Sequence, residues 1–176
     1  EMTIGEMVAF QIFANGVQGP INTLIGKWDE IMEVRIAIER MNDVLEKNPD
    51  HPLAIHLYIH AVEASSDPGR AEGPADRLGK LVPGAGHLVH MPAHIYWRIG
   101  RYHDASLVNI EAAKVDEDYI AQCNAQGFYP ALYYPHNVHF LWAASTMEGR
   151  SALSIESAIK VSKYVRIEQI KQIPFL

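Results

Sequence analysis

Histidines are the residues of this chain whose spacing predicts chemistry. Nine histidines occur among 176 residues, and most of them fall into three short groups. In the first group His56 and His60 are four residues apart, and Glu63 follows three residues later. Because steps of three and four return to the same face of an α-helix, these three side chains are expected to point in one direction.

Two further groups repeat this spacing. The second has steps of three and four residues, and the third has a step of three. Their members are His87, His90, His94, His136 and His139. The second group also continues the first, because the steps from His56 to His90 and from His60 to His94 both equal 34 residues. The histidine pair therefore recurs in register with a structural repeat.

Other residues follow the same period. Proline recurs at 49 and 83, and alanine at 37, 71 and 105. A shift of 49 residues relates Gly100-Arg101 to Gly149-Arg150. The longer shift predicts an insert at about residues 121–135, between the third and fourth units.

A 34-residue unit of two helices is typical of the tetratricopeptide repeat (TPR). The chain resembles that family, with small residues at Ala71 and Ala105 and a helix-ending glycine at Gly100. Its two longest histidine motifs run over 51–63 and 86–94, and they resemble a histidine-rich bacterial branch of the family. The resemblance implies an all-α fold in which antiparallel helix pairs stack as a short solenoid. It also implies that the first helix of each pair lines a concave groove.

The chain divides into three regions on this interpretation. Residues 1–29 are predicted to form an N-terminal helix and loop that match the repeat weakly. TPR-like repeats are expected over 30–165, followed by a C-terminal tail at 166–176 that we expect to be truncated. Helices are predicted at 3–15, 30–47, 52–65, 69–81, 88–99, 102–115, 136–147 and 150–165. Pro92 must occupy the first turn of its helix or kink it.

The histidines are predicted to bind a transition metal from the groove surface. Imidazole is the commonest metal ligand, and two histidines four residues apart on a helix can bind one ion. The candidate ligands are His56, His60, His87, His90, His94, His136 and His139. Such a set suits copper, zinc, iron or nickel, whereas calcium and magnesium prefer oxygen ligands. The Irving–Williams order favours copper over zinc or iron, and the ligand count allows one or two ions.

Glu63 is the candidate catalytic residue. It is predicted to act as a general base on metal-bound water, as a ligand, or as a partner that orients His60. The leading hypothesis is a metal-dependent oxidoreductase or hydrolase that acts on a small substrate, with the insert as a cover. The alternative is a TPR interaction module that binds a peptide in the groove without metal. A third possibility is one face of a homo-oligomer.

Composition excludes several other classes. The net charge of −6 and the absence of a basic cluster argue against a nucleic-acid partner. Cys123 is the single cysteine, which excludes an internal disulfide framework and a multi-cysteine zinc site. The apolar stretches are too short to span a membrane. The resemblance implies a soluble bacterial protein, and the compartment, cytoplasmic or periplasmic, stays open.

Overall fold

The computed structural model describes residues 3–165, and the regular structure within that range is entirely helical. The helices are α1 (Ile4–Lys47), α2 (Pro52–Val62), α3 (Glu72–Leu81), α4 (Gly86–His90), α5 (Pro92–Ile99), α6 (Tyr102–Cys123), α7 (Tyr134–Met147) and α8 (Ser151–Tyr164). A 3₁₀ turn at Pro68–Ala71 precedes α3, and a π turn at Tyr129–Tyr133 precedes α7. The all-α prediction is confirmed over these residues. The predicted tail at 166–176 lies outside them.

Helix α1 differs from the sequence prediction. The predicted loop between helices at 3–15 and 30–47 is wrong, because one helix runs through Gly16, Gly19 and Pro20. Glycine and proline cost helix stability, but propensity is a weak prior. None of the side chains of α1 is buried. Within residues 3–165 no helix has the combination of length and hydropathy needed to cross a membrane.

The chain divides into two compact units between Arg40 and Met41. In the second unit α2 packs against α3, α4 and α5 pack against α6, and α7 packs against α6 and α8. Helix α6 buries the small residues Ala105 and Ala112 completely, so neighbouring helices can approach it closely. Tyr134 and Val138 of α7 pack against Ala113 of α6. Helix α6 is thus the support for the helices that carry the second and third histidine groups.

Two helices of this unit end in the same way. Gly100 after α5 has a φ of +83°, and Gly149 after α7 has a φ of +75°. The next residue donates its backbone N–H to a carbonyl five residues back, at 2.8 Å for Arg101 and 2.9 Å for Arg150. Glycine is favoured at such ends because left-handed backbone strains other residues. The helix end predicted at Gly100 is confirmed, and it recurs at the predicted 49-residue shift.

The segment between residues 86 and 135 departs from the predicted bounds. The helix predicted at 88–99 is two helices, α4 and α5, which meet at Met91, with Pro92 as the first residue of α5. Helix α6 continues to Cys123, eight residues past the predicted end, because its buried face extends to Asp116. The predicted insert at 121–135 therefore contains the end of α6, a short loop, the π turn and the start of α7.

Candidate metal centre

Helix α2 separates an apolar face from a polar one. Ile55, Ile59 and Val62 are completely buried. Each of these buried residues is followed directly by a polar one, so the neighbouring face of the helix carries His56, His60 and Glu63. The apolar face anchors α2, so the three polar side chains emerge together on one side, as the spacing predicted.

Helices α4 and α5 bring the second histidine group to the same place. His87 and His90 lie on α4, and His94 lies in the first turn of α5. His90 is completely buried and His94 is 6% exposed. The Nε2 atoms of these two rings are 3.0 Å apart, although the helix breaks between them. The ring centroids of His60 and His94 are 4.9 Å apart, so the first and second groups meet.

Helix α7 contributes one histidine to this centre. His136 Nε2 lies 3.0 Å from His90 Nε2. His139 instead is exposed, and its ring lies beside Trp142, with 5.5 Å between centroids. The structure thus brings together six of the seven predicted ligands, which we call the histidine cluster: His56, His60, His87, His90, His94 and His136.

Three sets of side chains in the cluster have potential ligand atoms within 4.8 Å of one another. They are His56, His60 and His87; His87, His90 and His136; and His60, Glu63 and His94. Every histidine of the cluster belongs to at least one set, whereas His139 belongs to none of them. Such spacing lets one ion reach three ligands, because metal–nitrogen bonds are about 2 Å long.

Asn109 on α6 decides which nitrogen of His90 carries the proton. The Asn109 side-chain amide donates to the carbonyl of Ala105 at 2.7 Å, so its oxygen must face His90. That oxygen lies 2.6 Å from His90 Nδ1, which therefore donates. In the neutral ring the Nε2 atom is then left with a free lone pair directed into the cluster. A partner of this kind orients a metal-binding histidine and raises its basicity.

Glu63 fixes the proton on Nδ1 of two other rings in the same way. One of its oxygens lies 2.6 Å from His94 Nδ1, and the other lies 3.1 Å from His60 Nδ1. Burial raises the pKa of the Glu63 carboxyl, but hydrogen bonds from His60 and His94 outweigh it and lower the pKa to about 2. The carboxylate can only accept, so each ring donates from Nδ1 and its neutral form leaves Nε2 free.

The cluster disfavours protonated imidazole at several positions. Burial, together with neighbouring rings, lowers the pKa of His87 to about 3 and of His136 to about 4. The same causes hold the pKa of His90 well below its usual value and lower that of His56. Neutral imidazole is the form that binds metals. His87 Nδ1 is also buried without a hydrogen-bond partner.

A buried carboxylate behind the cluster joins α4, α6 and α7. Asp116 accepts hydrogen bonds from the Tyr129 hydroxyl and the Asn137 amide, both at 2.7 Å. Asp116 Oδ1 fills the space that a side chain at residue 86 would need, because a Cβ built on Gly86 would lie 2.0 Å from it. Burial raises the pKa of Asp116 despite these two hydrogen bonds. Gly86 and Asn137 each adjoin a cluster histidine, so Asp116 sets the spacing between α4 and α7.

Two cavities reach the cluster. One has a volume of about 430 Å³, and its lining is His56, His60, His87, Leu132, Tyr133 and His136. The ring of Tyr133 lies 4.6 Å from that of His87, between centroids. The other cavity is about 280 Å³ and includes Glu63, His94 and His139 in its lining. The predicted insert therefore contributes two residues to the wall of the larger cavity.

Sequence reasoning missed the polar residues on α6. Asn109 and Asp116 share a helix face with Ala105 and Ala112, at steps of four, three and four. Two polar residues on an otherwise small, buried face were the available signal, because buried polar groups require partners. The remaining histidines lie outside the cluster. His51 Nδ1 accepts from the Ala54 N–H and caps α2, and the exposed His103 pairs with Glu148.

Comparisons of this chain with protein-family models, with curated proteins and with solved structures found no match. The geometry of the histidine cluster therefore carries the functional conclusion.

Proposed function

We propose that the histidine cluster binds a transition metal and that this protein uses it on a small substrate. The observation that carries the proposal is the pair of Nε2 atoms on His90 and His94, 3.0 Å apart. Asn109 and Glu63 take the Nδ1 protons of these rings, so both Nε2 lone pairs in the neutral rings face the same space. Two such lone pairs repel each other. A metal ion relieves this repulsion, and ligand nitrogens on one ion are separated by roughly 3 Å.

Copper is the metal that we propose, ahead of zinc and iron. The cluster offers six imidazoles and one carboxylate, a set that suits copper, zinc or iron and not calcium or magnesium. Copper heads the Irving–Williams order for nitrogen ligands, which supports this choice. A bound ion would supply Lewis acidity or redox chemistry.

The larger cavity is the proposed place for the substrate. It opens onto His56, His60 and His87, and Leu132 and Tyr133 form its wall on the side of the π turn. We propose that this wall covers the substrate, as expected for the insert. Glu63 orients His60 and His94 through its hydrogen bonds, and its low pKa keeps it ionised as an acceptor for both rings. A carboxylate with so low a pKa is a weak base at neutral pH, so of the predicted roles we propose the orienting one for Glu63.

We also propose that α2–α8 form a TPR-like array. The identical glycine caps at Gly100 and Gly149 and the burial of Ala71 and Ala105 support a repeated unit. The order of helices supports it as well, because each histidine group is followed in the chain by a helix that packs against it. The first group, on α2, is followed by α3; the second, on α4 and α5, by α6; and the third, on α7, by α8.

Metal analysis of the untagged protein tests the function. We expect at least one equivalent of copper, or of zinc or iron, after reloading with each ion and removal of the excess. The double substitution His90→Ala and His94→Ala should reduce the retained metal by about one equivalent, and His103→Ala is the matched control because it removes an exposed histidine outside the cluster. Circular dichroism checks helicity. Less than about a tenth of an equivalent in the wild type would overturn the proposal and favour the peptide-binding alternative.

A further inference from the structure

We propose that the cluster holds two metal ions, each bound by three imidazoles. This inference rests on the proposed function. The inner trio is His90, His94 and His136, and the outer trio is His56, His60 and His87. His139, which the sequence analysis also included among the candidate ligands, belongs to neither trio.

The ring spacings support the division into trios. Centroid distances within the inner trio are 4.8 Å, 4.7 Å and 5.6 Å. Those within the outer trio are 5.0 Å, 5.2 Å and 6.4 Å. Three imidazoles on one tetrahedral ion have centroids roughly 5 Å apart, since the bond of ~2 Å is extended by about half a ring. The outer trio is one of the three close ligand sets. The inner trio combines His90 and His136 of one set with His94 of another, and His90 Nε2 lies 3.0 Å from the Nε2 atoms of both.

A single ion cannot use all six rings. Zinc in proteins is usually four-coordinate, and tetragonal copper sites also use few protein ligands. An ion in the inner trio would leave His56 and His87 without a role, although the His87 Nδ1 atom is buried and unpartnered. A second ion in the outer trio gives both rings a role.

The two trios are coupled through shared contacts. Glu63 accepts from His60 of the outer trio and from His94 of the inner trio. The rings of His87 and His90 are 5.7 Å apart between centroids. The single carboxylate thus orients one ligand of each ion, and a change at one ion is felt at the other.

The trios differ in access to solvent. Phe140 covers the inner trio, with its ring centroid 4.8 Å from His90, 4.4 Å from His94 and 5.1 Å from His136. All three rings of the outer trio line the larger cavity, whereas His136 is the inner-trio ring that lines it, and His94 lines the smaller cavity. The outer ion therefore exchanges faster than the inner ion, and it is the ion that the substrate meets.

Stoichiometry of the full chain tests the inference directly. After loading with copper(II) and desalting, the wild type should retain about two equivalents, as three-imidazole sites predict. His56→Ala and His136→Ala should each retain about one equivalent, because each removes a ligand from one trio only. His103→Ala should match the wild type. A limited amount of chelator should remove the outer ion first, and His56→Ala should lack that fast phase.

Electron paramagnetic resonance gives a second measurement that needs no variant. Two copper(II) ions in adjacent trios lie close enough for dipolar coupling, which should broaden the wild-type signal. His56→Ala and His136→Ala should each give the narrower signal of an isolated copper(II) ion.

The outcomes separate the two proposals. One equivalent in the wild type with an uncoupled signal would overturn the two-ion inference and leave the proposed function intact. No retained metal would overturn both. If an alanine substitution reduces helicity, the corresponding glutamine variant, His56→Gln or His136→Gln, is measured instead. The stoichiometry and the signal of the wild type test the two-ion inference in either case.

Discussion

The inner and outer trios present the same side chain in two environments. The inner trio contains the completely buried His90 and the nearly buried His94, with Asn109 and Phe140 against them. The outer trio contains the exposed His60 and two half-buried rings beside a cavity. Buried polar groups must be fully partnered, whereas exposed ones can use water. Burial thus divides one set of imidazoles into a preorganised part and an accessible part.

Removal of His90 should have the largest effect on metal binding. His90→Ala should weaken binding by about 100-fold or more, since structural zinc sites gain ~10–16 kcal/mol from about four ligands. His56→Ala should weaken the tightest binding step far less, because its ring faces the cavity. Competition titration with a chromophoric chelator measures both. Equal losses in the two variants would contradict the division into trios.

Asn109 tests whether the inner trio depends on preorganisation. Asn109→Leu should weaken metal binding by about 10–100-fold, the usual cost of losing an outer partner of a metal ligand. Asn109→Asp keeps an acceptor for His90 Nδ1 and should retain most of the affinity. The same titration measures both variants. A loss in Asn109→Asp as large as in Asn109→Leu would show that His90 does not depend on this acceptor.

Gly86 tests the spacing that Asp116 imposes between α4 and α7. In Gly86→Ala the new Cβ would lie 2.0 Å from Asp116 Oδ1 and 2.9 Å from the Ala112 carbonyl oxygen. The free energy of unfolding should fall by about 1–3 kcal/mol, as in other overpacked interiors. Chemical denaturation measures the loss. Gly84→Ala is the control, because no atom lies within 4 Å of a Cβ there.

Acid should destabilise the metal-free protein through both trios. The folded protein lowers the pKa of His87 to about 3 and of His136 to about 4, whereas an unfolded histidine titrates near ~6.5. Between these values the unfolded state binds more protons, so stability rises with pH. The stability that the neutral rings contribute is fully present above pH ~6.5, and it is lost as the pH falls toward their folded-state pKa values. Denaturation at a series of pH values measures this, and a flat profile over that window would contradict the burial of these rings.

His139 should have the smallest effect. His139→Ala should change metal affinity by less than about twofold, since surface substitutions away from a site cost little. The sequence groups His139 with His136, but in the structure it belongs to none of the close ligand sets. A loss comparable to that of His136→Ala would show that His139 is a ligand, as the sequence analysis expected.

Part of the centre follows from local rules. Helix periodicity places His56, His60 and Glu63 on one face of α2, and the structure agrees. The helix end at Gly100 is also local, because a left-handed residue favours glycine. Local rules failed at α1, where Gly16, Gly19 and Pro20 suggested a loop inside a continuous helix. They also missed Asn109, whose role depends on a ring nineteen residues away in the chain.

The helical class, the three histidine groups and their nitrogen-rich chemistry can be predicted from the chain alone. Which rings meet depends on how the helices pack. Packing of α4 and α7 around Asp116 brings His136 to His90 and leaves His139 beside Trp142. Spacing along one helix is set by its own backbone, whereas contacts between helices depend on buried partners far apart in the chain. Packing therefore determines that six of the seven candidate ligands meet.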